Sequence, residues 1–140
     1  MGYCAHINDE HFRIEASSLT NLHAHMRAWR GPGPDHYGWF DMDQFNTGRN
    51  GTINDMAVAF GFQFTHDDDG NIDFVEFLAD KPGEDDALFF ALIAPFVTAG
   101  SWVEWYGEDG AIWRWAFDGK RAFQQEPRIE YDPIPTGADA

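Results

Sequence analysis

The stretch ALFFALIAPFVTAGSWVEWYGEDGAIWRWAFDGKRAFQQ, residues 87–125, decides the fold. It reads as an apolar helix, a turn and three short strands, and it carries Trp102, Trp105, Trp113 and Trp115. In Gly107-Glu108-Asp109-Gly110-Ala111, a type I turn with Gly110 left-handed closes a three-residue loop. That register sets Trp105 opposite Trp113, Val103 opposite Trp115 and Glu104 opposite Arg114. One face then pairs aromatic and apolar side chains and the other pairs opposite charges, each pair contributing a few tenths to about 1 kcal/mol. A two-residue loop at Asp109-Gly110 would set Trp105 against Arg114 and satisfy neither face. Phe117-Asp118-Gly119 turns the chain again and is expected to bring Phe123 near Trp113.

Upstream of the strands, Leu88, Phe89, Leu92, Ile93, Phe96 and Val97 form a wide apolar helix face. Phe90 and Ala91 extend it almost all round, which predicts a long, central helix. Glu84, Asp85 and Asp86 open it at the positive end of its dipole. Pro95 removes a backbone hydrogen bond and ends or kinks it near Ala94.

Further out, Tyr3 to Ile7 and His11 to Glu15 alternate in polarity around Asn8-Asp9-Glu10 and predict a hairpin. Ser17 or Ser18 is placed to cap a helix running to about Arg30, with Leu19, Leu22, Met26 and Trp29 on one face. Gly31-Pro32-Gly33-Pro34 stops it. Trp39-Phe40-Asp41-Met42 reads as a short strand and residues 46–51 as a loop. Thr52 and Asp55 make a capping box for a short helix that Gly61 closes. Residues 62–65 and 72–78 read as strands joined through His66-Asp67-Asp68-Asp69-Gly70-Asn71. After Pro127 apolar content falls and prolines recur, which predicts a loose tail.

The chain is therefore expected to be α+β: an antiparallel sheet of hairpins, with a long apolar helix packed on a C-terminal three-stranded meander. Residues 1–126 are expected to form one domain and residues 127–140 a flexible tail. At 140 residues, 44% of them apolar, there is enough material for a packed core.

The 24 acidic residues against 9 basic ones give a net charge of −15, which disfavours direct binding to nucleic acid or anionic lipid. From Asp35 to Asp109, sixteen acids face only Arg49 and Lys81, a balance of −14. The clusters Asp41/Asp43, Asp67-Asp68-Asp69 and Glu84-Asp85-Asp86 fall in turns or helix starts. If those tips gather on one side, spaced carboxylates imitate a row of phosphates and fit a basic groove on another protein. Cys4 is the only cysteine, which excludes an internal disulfide and points to a reducing, cytoplasmic setting. No apolar run approaches the roughly 20 residues of a membrane span.

Residues 65–76 resemble the second half of an EF-hand calcium loop. With Gly70 at the sixth position, Asp67, Asp69, Asp73 and Glu76 take ligand positions, while Thr65 stands where the first Asp belongs. Calcium is the one cofactor this suggests, and the strand-like Phe62-Gln63-Phe64 fits the motif badly. His23-Ala24-His25 turns its two rings apart on a helix, and Cys4 with His6 supplies only two ligands, so no zinc site is expected. There is no Gly-x-Ser-x-Gly and no phosphate-cradling glycine loop, and no enzyme is expected.

Ala91, Pro95-Phe96, Gly100-Ser101-Trp102-Val103-Glu104-Trp105, Gly107-Glu108-Asp109-Gly110, Trp113-Arg114-Trp115 and Phe117 together resemble a group of small acidic proteins of phage and mobile-element type. The likeness is strongest over residues 85–125, and Asp69-Gly70-Asn71-Ile72 also fits it. The resemblance implies a compact α+β domain and a role in phage–host conflict, inside a host cytoplasm. It carries no catalytic residues. The expected function is non-enzymatic: an inhibitor that occludes a basic, nucleic-acid-binding surface of a host protein through Asp41, Asp43, Asp67, Asp68, Asp69, Glu84, Asp85 and Asp86. The alternatives are a calcium module using Asp67, Asp69, Asp73 and Glu76, and a structural or oligomer-forming protein.

Overall fold

The computed structural model describes residues 3–32, 41–79 and 84–137. In chain order their elements are β1 (Ala5–His11), α1 (Leu19–Ala28), α2 (Met42–Gly48), α3 (Ile53–Ala57), β2 (Phe62–His66), β3 (Ile72–Phe77), α4 (Glu84–Ile93), β4 (Trp102–Gly107), β5 (Ile112–Phe117) and β6 (Ala122–Gln125). The class is α+β, with an antiparallel sheet ordered β1-β4-β5-β6 and an antiparallel pair β2-β3.

The β4–β5 hairpin has the register its turn dictates. Trp105 faces Trp113, Val103 faces Trp115 and Glu104 faces Arg114. Gly107 N–H donates to Ala111 O at 2.8 Å, and Gly110 takes φ 86°, where a side chain would be strained. The two indoles stack with planes 3° apart and centroids 6.1 Å apart. On the other face Arg114 Nε lies 3.0 Å from Glu104 Oε1, and its guanidinium sits over the Trp102 ring at 3.9 Å.

Phe123 is placed differently from the expectation. The β5–β6 connection runs through Asp118–Arg121, whose ends are joined by Asp118 N–H donating to Arg121 O, and sets Phe123 opposite Ala116. Phe123 therefore stands on the Arg114 side of the sheet, away from Trp113. Asp118 fixes this shorter loop, set further along the chain, by accepting from both Lys120 N and Arg121 N, at 2.9 and 2.7 Å.

Helix α4 packs onto both sheets, but it is not long. It spans 10 residues, as α1 does, and passes at Pro95 into a single 3-10 turn, Ala94–Phe96. Nor is it buried all round: Ala87, Ala91 and Pro95, spaced by one turn, face solvent. Its other side is aromatic. Phe89 stacks on Phe62 at 4.4 Å, and Phe90 meets Trp115 at 5.5 Å and Phe117 at 5.8 Å. Phe45, Phe60, Phe64, Leu22 and Met26 complete this core from the remaining elements.

The expected N-terminal hairpin is one continuous strand. β1 pairs with β4 from Ala5 to His11, and Asn8 is an extra residue that shifts the register between Ile7 and Asp9. Beyond the strand, Ile14 exchanges two 2.9 Å backbone hydrogen bonds with Ile72 of β3. The polar Asn8-Asp9-Glu10 run is thus a bulge, and residues 5–14 stitch the two sheets together.

Helix α1 begins after a 3-10 turn at Ala16–Ser18, and neither serine side chain caps it. Asn71 Oδ1 instead accepts from Ala16 N at 2.8 Å, a cap supplied from the β2–β3 loop. Asp41 and Met42 begin helix α2, with Asp41 as its cap, so this part of the expected strand is corrected; Trp39 and Phe40 lie outside the described residues. Helix α2 also takes in Asn46–Gly48 of the expected loop. The capping box of α3 is present, with Thr52 and Asp55 bonded reciprocally, and Gly61 ends the following turn at φ 89°. Residues 126–136 carry neither helix nor strand.

Candidate functional site

The acidic residues singled out in the sequence divide by what their carboxylates do. Asp41 accepts from Gln44 N at 3.0 Å and caps α2, with Asp43 exposed one residue into the helix. In the β2–β3 loop, Asp67 Oδ1 accepts from Asp69 N and Asn71 N, each at 2.9 Å, while Oδ2 accepts from Asn71 Nδ2 at 3.1 Å. The Asn71 side-chain bond, followed by these backbone bonds and the nearby Arg13, holds the Asp67 carboxyl below its ordinary range. Asp68 and Asp69 are exposed at the tip of the same loop. Asp86 is a correction to the outward-facing set: it lies in the first turn of α4 and is only 6% exposed. The side chains of Glu84 and Asp85 lie outside the described residues.

The calcium ligand set is not assembled as a coordination shell. Asp67 is folded back on its own loop, Asp73 is an unpaired residue where the β2–β3 register shifts, and Glu76 lies opposite Gln63. The segments flanking the loop are strands, where an EF-hand has helices. Among the described residues no three His, Cys, Asp or Glu side chains are grouped closely enough to hold a metal ion.

A different carboxylate stands out. The bulge at Asn8 shifts the alternation of β1 by one, so Glu10 falls opposite Val103 on the core face. Its Oε1 accepts from Val75 N at 2.8 Å, which satisfies a backbone donor on the edge of β3. Its Oε2 is sealed from solvent and meets no partner among the described residues. Burial, as the largest cause, pushes the Glu10 carboxyl from 4.5 up to about 7; the Val75 N–H opposes the shift, and Asp9 and Asp73 add to it. A groove of about 230 Å³, lined by Ile7, Asn8, Asp9, Glu10, Asp73 and Phe74, opens beside it. Two register shifts, one in each sheet, meet at this groove.

Glu10 was hidden in the sequence because it lies in a polar run that imitates a turn. The phase of the apolar positions did hold a signal. Ala5 and Ile7 are odd-numbered, whereas the inward Phe12 and Ile14 are even-numbered. One extra residue in a continuous strand produces that switch, and it turns Glu10 inward.

At the far end of β1, the Tyr3 hydroxyl donates to Asp109 Oδ1. This bond, ahead of burial and the nearby Asp109 and Glu108 charges, pushes the phenol up to about 12. A Cβ on Gly107 would lie 1.6 Å from the Tyr3 hydroxyl oxygen, so the ring approaches here because residue 107 is glycine.

No protein-family model, curated protein or solved structure matches the chain.

Proposed function

We propose that the protein is a non-enzymatic acidic binding module that occupies a basic, nucleic-acid-binding surface on another protein, as a phage-type inhibitor of host machinery would. The observation that carries this reading is the tip of the β2–β3 hairpin. There Asp67 spends its carboxylate on fixing the loop, and Asp68 and Asp69 are left exposed on a preorganised frame. A loop backbone that is already fixed loses little conformational entropy when its exposed carboxylates meet a cationic surface. The chain segment that holds this tip is strongly acidic, with sixteen acids against two bases between Asp35 and Asp109.

The test leaves Asp67 intact, since it holds the loop. Capture from a host lysate, followed by titration of the purified partner, should give binding that weakens steeply with salt. The Asp68→Asn/Asp69→Asn variant should bind at least about tenfold more weakly at low ionic strength, with unchanged circular dichroism. Affinity that is indifferent to salt, or unaltered in this variant, would defeat the proposal.

A further inference from the structure

The strand edges of this molecule are not treated alike. The outer edge of β2 is closed by a side chain: Asn54 Nδ2 donates to Phe64 O at 3.1 Å, and its Oδ1 accepts from Phe64 N at 2.8 Å, as a neighbouring strand would. The free edge of β3 is closed by Glu10 on Val75 N and by the Ile14–Ile72 backbone pair. Strand β6 has no such cover among the described residues. Its sequence Ala122-Phe123-Gln124-Gln125 holds neither charge nor proline, the usual guards of an open edge. In the β5–β6 ladder, Phe123 faces Ala116 and Gln125 faces Arg114. Successive backbone groups of a strand point to opposite sides, and Asp118 N donating to Arg121 O sets the phase. The Gln124 N–H and C=O therefore point outward.

Directly after this edge comes a segment with strand-like alternation. Arg128, Glu130 and Asp132 alternate with Ile129 and Tyr131. Ile129 is 77% exposed, Tyr131 90% and Ile134 88%, so the segment's own molecule does not bury them. Folding back onto its own β6 would need a turn through Glu126-Pro127 with proline at the third turn position, which a trans proline resists.

We infer that residues 128–132 dock as an added antiparallel strand on the open β6 edge of a second copy of this chain, each copy lending its tail to the other. With Ile129 opposite Phe123, which is 44% exposed, Tyr131 falls beside Arg121 and Asp132 beside Lys120. Apolar then meets apolar, an aromatic ring meets a cation, and opposite charges meet at the end. The reciprocal exchange closes as a two-fold dimer, in which both open edges are covered and none is left to propagate. The inference stands apart from the acidic-surface reading, because it uses none of those carboxylates.

Sedimentation equilibrium on the full chain tests it. The wild type should weigh twice its 15.9 kDa chain mass. The Ile129→Asp/Tyr131→Asp variant should weigh one chain, and so should Gln124→Pro, which removes an outward N–H and leaves the ladder to β5 intact. Both should stay folded, with a cooperative thermal unfolding transition. A wild type that stays monomeric at every concentration overturns the proposal, as does a dimer that persists in both variants. A dimer broken by Gln124→Pro alone would mean that two β6 edges pair directly. One broken by the tail variant alone would put the tail elsewhere, and either result rejects the exchange.

Discussion

The β4–β5 hairpin and the junction of β1 with β3 are joined by opposite means. In the hairpin, partners are close in sequence: the Glu104–Arg114 pair spans 10 residues, and a glycine turn brings it together. Apolar side chains fill the inner face and charges the outer one. At the junction, Glu10 reaches Val75 across 65 residues, and it does so from the inner face, where a carboxylate is costly. The hairpin is held by side chains whose burial is favourable in itself. The junction is held by a backbone bridge and by a charge that must shift its proton equilibrium to remain there. The first kind of joint should be strong and nearly indifferent to pH near neutrality, and the second should be weaker and responsive to it.

The largest effect expected is at the hairpin. Trp105 is fully buried, stacked on Trp113 and edge-on to Phe77 at 4.9 Å. Trp105→Ala should cost about 3–5 kcal/mol, read as a fall in denaturation midpoint. Trp105→Phe should cost clearly less, because it also removes an indole N–H that is buried without an acceptor among the described residues. An equal loss in the two variants would show that ring volume is not what holds this joint.

The junction should give a smaller effect with a pH signature. Folding raises the Glu10 pKa from 4.5 to about 7, so the folded chain binds this proton more tightly than the unfolded chain does. Stability from this group therefore increases as pH falls from about 7 towards 4.5, and above 7 the full cost of a buried charge remains. After discounting for partial exposure, that cost is about 2 kcal/mol. Glu10→Gln keeps an oxygen for Val75 N, so it should stabilise the protein at pH 8 and flatten the slope between 4.5 and 7. Chemical denaturation at several pH values measures both. A slope that survives in Glu10→Gln would assign it to another group.

The same contrast explains which parts of the molecule could be read beforehand. Turn chemistry at Glu108-Asp109-Gly110 and the capping box at Thr52 and Asp55 act within a few residues, so their consequences were legible. The β2–β3 loop was legible as a turn for the same reason. The β1 strand was not, because its identity depends on β4, almost a hundred residues away, which converts a turn-like polar run into a bulge. Asp86 misled for a similar reason: an acid in a first helical turn is ordinarily exposed, and its burial is a tertiary property that the local pattern does not carry. Phe123 was misplaced because Asp118 accepts from two backbone amides and closes a two-residue loop, Gly119-Lys120, in place of the three-residue loop expected at 117–119. The exposure of Asp68 and Asp69 follows from a local turn, whereas the burial of Glu10 follows from packing.

The smallest effect expected is the outer face of the hairpin, and it bears on whether the charge pair or the aromatic pair sets the register. Glu104 accepts from Arg114 and also from Asn8 Nδ2 at 2.8 Å, so it ties β5 to the bulge of β1. Arg114 in turn lies over Trp102. A double-mutant cycle with Glu104→Ala and Arg114→Ala should give a coupling of a few tenths to about 1 kcal/mol, falling as salt is added, since Arg114 is partly exposed. The cycle should be repeated with Asn8→Ala in the background. If the coupling is unchanged there, the ion pair belongs to the hairpin alone. If it shrinks, Asn8 orients the carboxylate, and the bulge that turns Glu10 inward also positions Glu104 for Arg114. The second outcome is expected, because Asn8 Nδ2 and Arg114 Nε hold the two different oxygens of the same carboxylate, and releasing one lets it rotate away from the other.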